Sequence, residues 1–370
     1  MAKVLNINPD VIQFYIDNAE IPFEVLQSKC PHIDAFLSGE KQPTFNQLSD
    51  IAKRINVPTG LLLLQTPIDV DNKKLEFRTV GSIEMGKMSE NLRDTITDME
   101  KKQDFLRDMV EDELSFIGSV SIHDDPQRTA NQLRKLMDIP IVWQPLAQNE
   151  AFKFFRSKIN ALGIYVFLDG IVRQNTKRPL DAREFRGFTL LDKKAPLIFI
   201  NSTDSEAGRL FTLVHELVHL SLGSPGIVSK IYLDDYSFSP LEAFANKVTA
   251  EILVPKKELL SCSHQNITGL ARKFCVSEYV IARRLLDCGK ISTADYEKYI
   301  ADLDAMFEEV KSSAKKTSGG NYYNNTKFKI DTSFFYAIKN AIYSDKITYT
   351  QAFDILGVKQ GVYKRLEAEI

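Results

Sequence analysis

The chain has 370 residues, 44% of them hydrophobic, 26% charged and 10% aromatic. That length suits two or three domains, and the composition excludes wholesale disorder and fibrous repeats. The net charge of −2 is unevenly spread: residues 1–66 hold five Lys/Arg against seven Asp/Glu, and residues 310–370 hold ten against five, so only the C-terminal end is basic enough to suggest a polyanionic partner.

Residues 1–66 read as a bundle of short helices. Apolar Val11, Ile12, Tyr15 and Ile16 fall at helical spacing, as do Leu48, Ile51, Ala52 and Ile55, with a turn signal at Ser38-Gly39 between them. From 67 to 118 the chain is highly charged. There Leu92, Ile96, Met99, Gln103, Leu106 and Val110 predict one amphipathic helix, a connector docking on a neighbour. Asp125-Pro126 opens a further helix with Leu133, Leu136 and Met137 as its apolar stripe.

Residues 119–261 form the next unit. A helix from Phe152 to Leu162 leads into three strand-like runs, IYVFLDGIV, FRGFTLLD and PLIFIN. Two strongly helical stretches follow at 206–222 and 240–252, closed by Val254-Pro255. The class is α+β, mostly helical, with a small sheet. Residues 262–310 read as a helix, a tight turn at Val276-Ser277 and a second helix carrying Arg272, Lys273, Arg283 and Arg284. Packing against the preceding domain with a solvated basic face is the plainer reading of that segment. KKTSGGNYYNN at 315–325 is the best linker, and 326–370 form a last small helical unit in which lysines alternate with aromatics at helical spacing.

No apolar run approaches the roughly 18 residues of a membrane span, and MAKVLNINPD lacks the apolar stretch of a signal peptide. Cys30, Cys262, Cys275 and Cys288 show no metal-finger spacing and read as reduced thiols of a cytoplasmic protein.

The chemistry concentrates in LFTLVHELVHLSLG. His215 and His219 stand four apart, so a helix projects both imidazoles from one face toward a shared cation. Glu216 sits where its carboxylate reaches a water held by that ion without ligating it. Zinc suits such a set, because neutral imidazole binds it well and its water ionises near pH 7. A third protein ligand is needed. Glu242, on the face it shares with Asn246 and Thr249, is the candidate, with Glu251 as the alternative.

GFTLLDKKAPLIFINSTDSEAGRLFTLVHELVHLSLG, followed by EAFANKVTAEILVP, resembles the ImmA/IrrE family of zinc metallo-endopeptidases. The resemblance extends to LEFRTVG (75–81), to LARKFCVSEYVIARRLLDCGKIS, and to FLSGEKQPTFNQLSDIAKRINVPTGLLLL, which is similar to a degenerate XRE-like helix-turn-helix. It implies a zincin-like core with Zn2+ on His215, His219 and Glu242, and Glu216 as catalytic base. Helix-turn-helix-like units would flank that core on both sides. Val218 departs from the glycine many relatives carry there, touching no ligand. The function implied is cleavage of an XRE-type transcriptional repressor, controlling a stress response or a mobile element. The other class of function is a non-proteolytic DNA- or protein-binding regulator, antitoxin-like, with a structural or vestigial metal site. PLIFIN is expected as an edge strand for the substrate, and Tyr232, Tyr236 and His264 are within sequence reach of the oxyanion. The acidic balance of residues 1–66 favours protein docking there over DNA binding.

Overall fold

The computed structural model describes residues 7–17, 23–55, 57, 59–67, 88–224, 227–228, 240–262, 266–313 and 328–369. LEFRTVG, the 315–325 joint, Tyr232, Tyr236 and His264 lie outside the described residues. Two compact units are formed, Met1–Arg78 and Thr79–Ile370.

The first unit gathers α1 (Pro9–Asp17), α2 (Phe23–Lys29), α3 (Ile33–Leu37) and α4 (Phe45–Arg54) around Val11, Ile12, Leu26, Ile33, Leu48 and Ile51. The buried residues of α1 are the four that the spacing marks. A capping box starts α4: the Thr44 hydroxyl takes the Gln47 amide, and Thr44 N–H donates to Gln47 Oε1 at 2.9 Å.

The second unit is built on a sheet of β1 (Tyr165–Asp169), β2 (Gly187–Leu190), β3 (Leu197–Asn201) and β4 (Ile227–Val228), in the order β1-β3-β2-β4. β1 runs parallel to β3, while β2 is antiparallel to both β3 and β4. All three predicted strands form, yet PLIFIN is not an edge. β3 is paired on both sides and buried at every position. Its unbroken Leu-Ile-Phe-Ile run, without polar alternation, is what a strand covered on both faces requires.

Helix α9 (Glu206–Leu222) packs on β2 and β3, with α8 (Ala151–Asn160) and α10 (Pro240–Leu253) beside it. It starts where Ser205 accepts the Gly208 amide and ends at Gly223 in the left-handed region. Its last carbonyls are not left bare: Gly118 N donates to Leu220 O at 3.1 Å and Val120 N to Ser221 O at 2.9 Å. Gly187 lets α9 approach β2 closely, because a Cβ there would stand 2.6 Å from Thr212 Cγ2.

Around this core lie α5 (Glu90–Arg107), α6 (Pro126–Leu136), α7 (Gln144–Ala147), α11 (Lys256–Ser261), α12 (Ile267–Phe274), α13 (Glu278–Asp287) and α14 (Thr293–Ser313). The charged α5 docks through the predicted stripe from Leu92 to Leu106, with Val110 past the helix end and only partly buried, and buried Gln103 donates to Leu190 O and Ala195 O, each at 2.9 Å. α12 and α13 are joined through Cys275 in the left-handed region. The solvated basic face expected there is only partly present, since Arg284 is buried. The start of α13 is tied to α14 by Tyr279–Asp304 and Glu278–Tyr299 hydrogen bonds of 2.5 Å.

The C-terminal helices α15 (Thr332–Tyr343), α16 (Tyr349–Leu356) and α17 (Gln360–Glu369) share a core of Phe334, Phe335, Ile338, Tyr363 and Leu366, while Tyr336 and Tyr343 are exposed. This unit is keyed to the free edge of β1. Asp331, fully buried, caps α15 at Phe334 N and accepts from Val166 N at 2.8 Å and Asn160 Nδ2 at 2.6 Å. Arg156 donates to Val166 O at 2.7 Å and to Phe328 O. No described helix is long and apolar enough to cross a membrane.

Candidate metal centre

α9 is apolar nearly all round, so its polar residues are carried into the interior. His215, Glu216 and His219 are each at most 1% exposed. Packing of α10 against α9 brings Glu242, near the start of α10, over the two histidines. Its Oε2 is 3.1 Å from His215 Nε2 and its Oε1 3.2 Å from His219 Nε2, and the two Nε2 atoms are 2.9 Å apart. Among the described residues this is the one group of three or more His, Cys, Asp and Glu side chains placed to share a cation. Tetrahedral zinc with bonds of about 2.0–2.1 Å sets its ligand atoms about 3.3 Å apart, so a small expansion of this triangle fits the ion. Glu242, with 26% side-chain exposure, is the only one of the four that opens to solvent.

The electrostatics follow from burial and from these contacts. Burial pushes the Glu216 carboxyl up to about 7, against the lowering effect of the His219 charge and the Thr189 hydroxyl. Burial also lowers His215, outweighing its Glu242 bond. For His219, burial is overcome by Glu242 and the Glu216 charge, which raise it. Burial would raise Glu242, but the two imidazoles hold it well below the usual carboxylate range. The set thus offers a firmly ionised carboxylate, two imidazoles and a neighbouring carboxyl poised near neutrality.

Glu251, the alternative third ligand, is not in this group. It faces the other way from α10, pairs with Arg284 Nη2, and lies 3.9 Å from Arg134 Nη2. Arg134 Nη1 also donates to the Glu251 carbonyl at 2.8 Å, and Arg284 Nε to Val254 O at 3.1 Å. Glu251 therefore ties α6, α10 and α13 together.

The structure also adds a residue that spacing did not mark. Thr189, buried on β2, donates its hydroxyl proton to Glu216 Oε2, leaving Oε1 unpartnered among the described residues. It stands 27 positions before Glu216, and a lone threonine in a strand-like run carries no signal of that pairing. Val218 packs in the core, consistent with its distance from any ligand role. Two clefts of about 350 and 550 Å³ elsewhere include none of the four site residues.

Residues 160–286, about a third of the chain, match the M78 peptidase model, described as an IrrE N-terminal-like domain. No curated protein matches the chain. The matched stretch contains α9, α10 and the three longer strands, the elements that assemble the His-His-Glu group. Segment 160–286 thus matches an IrrE N-terminal-like domain of the M78 family, and that match supports a metallopeptidase of the ImmA/IrrE type.

Proposed function

We propose that the chain is a zinc-dependent endopeptidase in which His215, His219 and Glu242 hold the ion and Glu216 is the base. The supporting observation is the convergence of those three ligand atoms beside a buried, partly partnered glutamate. Bound there, zinc supplies a Lewis acid for the scissile carbonyl and lowers the pKa of water to about 7. Glu216 Oε1 accepts the proton of the attacking water and returns it to the leaving amine nitrogen. Thr189 fixes the carboxylate through Oε2, so that Oε1 faces the reacting atoms. β3 offers no edge to an extended substrate, because both its sides are paired.

The substrate class we propose is a helix-turn-helix repressor, with the acidic first unit recruiting protein rather than DNA. The resemblance to ImmA/IrrE proteins supports this, together with the excess of Asp/Glu over Lys/Arg in residues 1–66. The test compares new protein N-termini in cells making the wild type or Glu216→Gln. A repressor fragment present only with the wild type is expected. Identical N-terminal sets, with the Glu216→Gln protein folded and metal-loaded, would sink the proteolytic reading.

A further inference from the structure

His215 has two ring nitrogens, and only one is accounted for by the ligand group. Nε2 meets Glu242, whereas Nδ1 is buried and has no hydrogen-bond partner among the described residues. One helical turn past Glu242 on α10 stands Asn246, so the two share a face. The Oδ1 of Asn246 is also buried without a partner, on the face of α10 that brings Glu242 to His215. A buried donor or acceptor left unmade costs about 1–3 kcal/mol. Two such atoms on neighbouring side chains, one able to carry a proton and the other a carbonyl oxygen, complement each other.

We infer that Asn246 is a positioning residue for the metal centre: its Oδ1 accepts the Nδ1 proton of His215 and so fixes the tautomer whose Nε2 lone pair points at the ion. The inference rests on the metal reading above and deepens it. A neutral imidazole carries one proton, and if that proton sat on Nε2 the nitrogen could not ligate. Metal-bound histidines are generally held in this way by an acceptor on the far nitrogen, and losing it costs about 10- to 100-fold in metal affinity. An asparagine supplies the acceptor without adding a third carboxylate to a site that already contains Glu216 and Glu242. His219 Nδ1 is likewise buried without a partner among the described residues.

The experiment measures zinc dissociation constants by chelator competition for the full chain, wild type, Asn246→Asp, Asn246→Ala and Asn246→Leu. It also records the His215 imidazole signals in the zinc-loaded proteins by 1H–15N correlation. Asn246→Leu and Asn246→Ala are expected to bind zinc about 10- to 100-fold more weakly and to lose the protected Nδ1–H signal of His215. Asn246→Asp, which keeps the acceptor, should hold zinc at least as tightly as the wild type and retain that signal. The alanine variant, with no side chain to misfit, keeps the test open if the leucine variant does not fold. Affinities within twofold of the wild type in both apolar variants, with the Nδ1–H signal intact, would overturn the role of Asn246 while leaving the metal site standing. A wild type that takes up no more zinc than His219→Ala would overturn the metal reading and this inference with it.

Discussion

Thr189 and Glu216 show how a single hydrogen bond can set the aim of a base. Replacing Thr189 by valine keeps the volume and removes the donor, so Glu216 loses its fixed orientation. Peptidase turnover is expected to fall about tenfold, roughly the worth of one such bond, with zinc content unchanged; turnover equal to the wild type would remove Thr189 from the mechanism. Glu100 on α5 presents a different kind of residue-scale effect. Burial, aided by the nearby Asp104 charge, raises it to about 7 from an ordinary value of 4.5. The folded chain therefore binds that proton more tightly than the unfolded chain, and the contribution to stability falls as pH rises from about 4.5 through 7. Because Glu100 is half-exposed, screening leaves this cost on the order of 1 kcal/mol at pH 8. Glu100→Gln should raise the Tm at pH 8 and leave it nearly unchanged at pH 4.5, which thermal melts at the two values will show.

At the scale of elements, α10 divides its labour between two faces. One carries Glu242 to the histidines, with Asn246 a turn further along it, and the other carries Glu251 to Arg134 and Arg284. Glu251→Ala would strand two buried guanidiniums, with an expected loss of about 3–5 kcal/mol in unfolding free energy. Zinc stoichiometry near one per folded chain should survive. Loss of zinc from a still-folded Glu251→Ala protein would contradict the division. Much of this was legible in the sequence. His215 and His219 follow from helical spacing, whereas Glu242 is preferred over Glu251 by its position after His219 and by the resemblance to ImmA/IrrE proteins; α9 covers the whole stretch that its apolar periodicity marks, because local pattern and burial agree there. The role of Glu251 was not legible, since its partners lie more than 30 and 110 positions away and nothing local marks an arginine as buried. The same holds for β3: an apolar run identifies a buried strand, but which strands flank it is decided by tertiary pairing.

At the scale of the whole molecule, the chain separates into a small helical unit ending at Arg78 and a larger one that includes the connector helix, the peptidase sheet and the C-terminal helices. The charged α5 is part of that larger body. Ser89 donates to Glu184 through N and Oγ, each at 2.8 Å, and Arg107 Nε reaches Asp192 at 2.7 Å. Asp331 makes the buried polar attachment of the C-terminal helices, beside the Lys329–Asp169 ion pair and the packing of Phe334 on Phe105 and Phe167. Asp331→Ala removes the cap of α15, the bond to Val166 N and the bond to Asn160 together. Limited proteolysis should then cut within 328–369 of the variant at protease concentrations that leave the wild type intact; equal resistance would show that apolar packing around Phe334 is sufficient.

The bonds of Asp331 and Arg156 to Val166 have a further consequence. The outward N–H and C=O of Val166, which any chain in extended conformation could otherwise engage, are occupied by side chains. A sheet ends safely only where its rim is covered or charged. Shortened chains that stop before residue 328 would bare that rim along β1 and gain a template for adding strands from their neighbours. The C-terminal helices thus guard the solubility of the protein, and their loss would register first as self-association in the test tube.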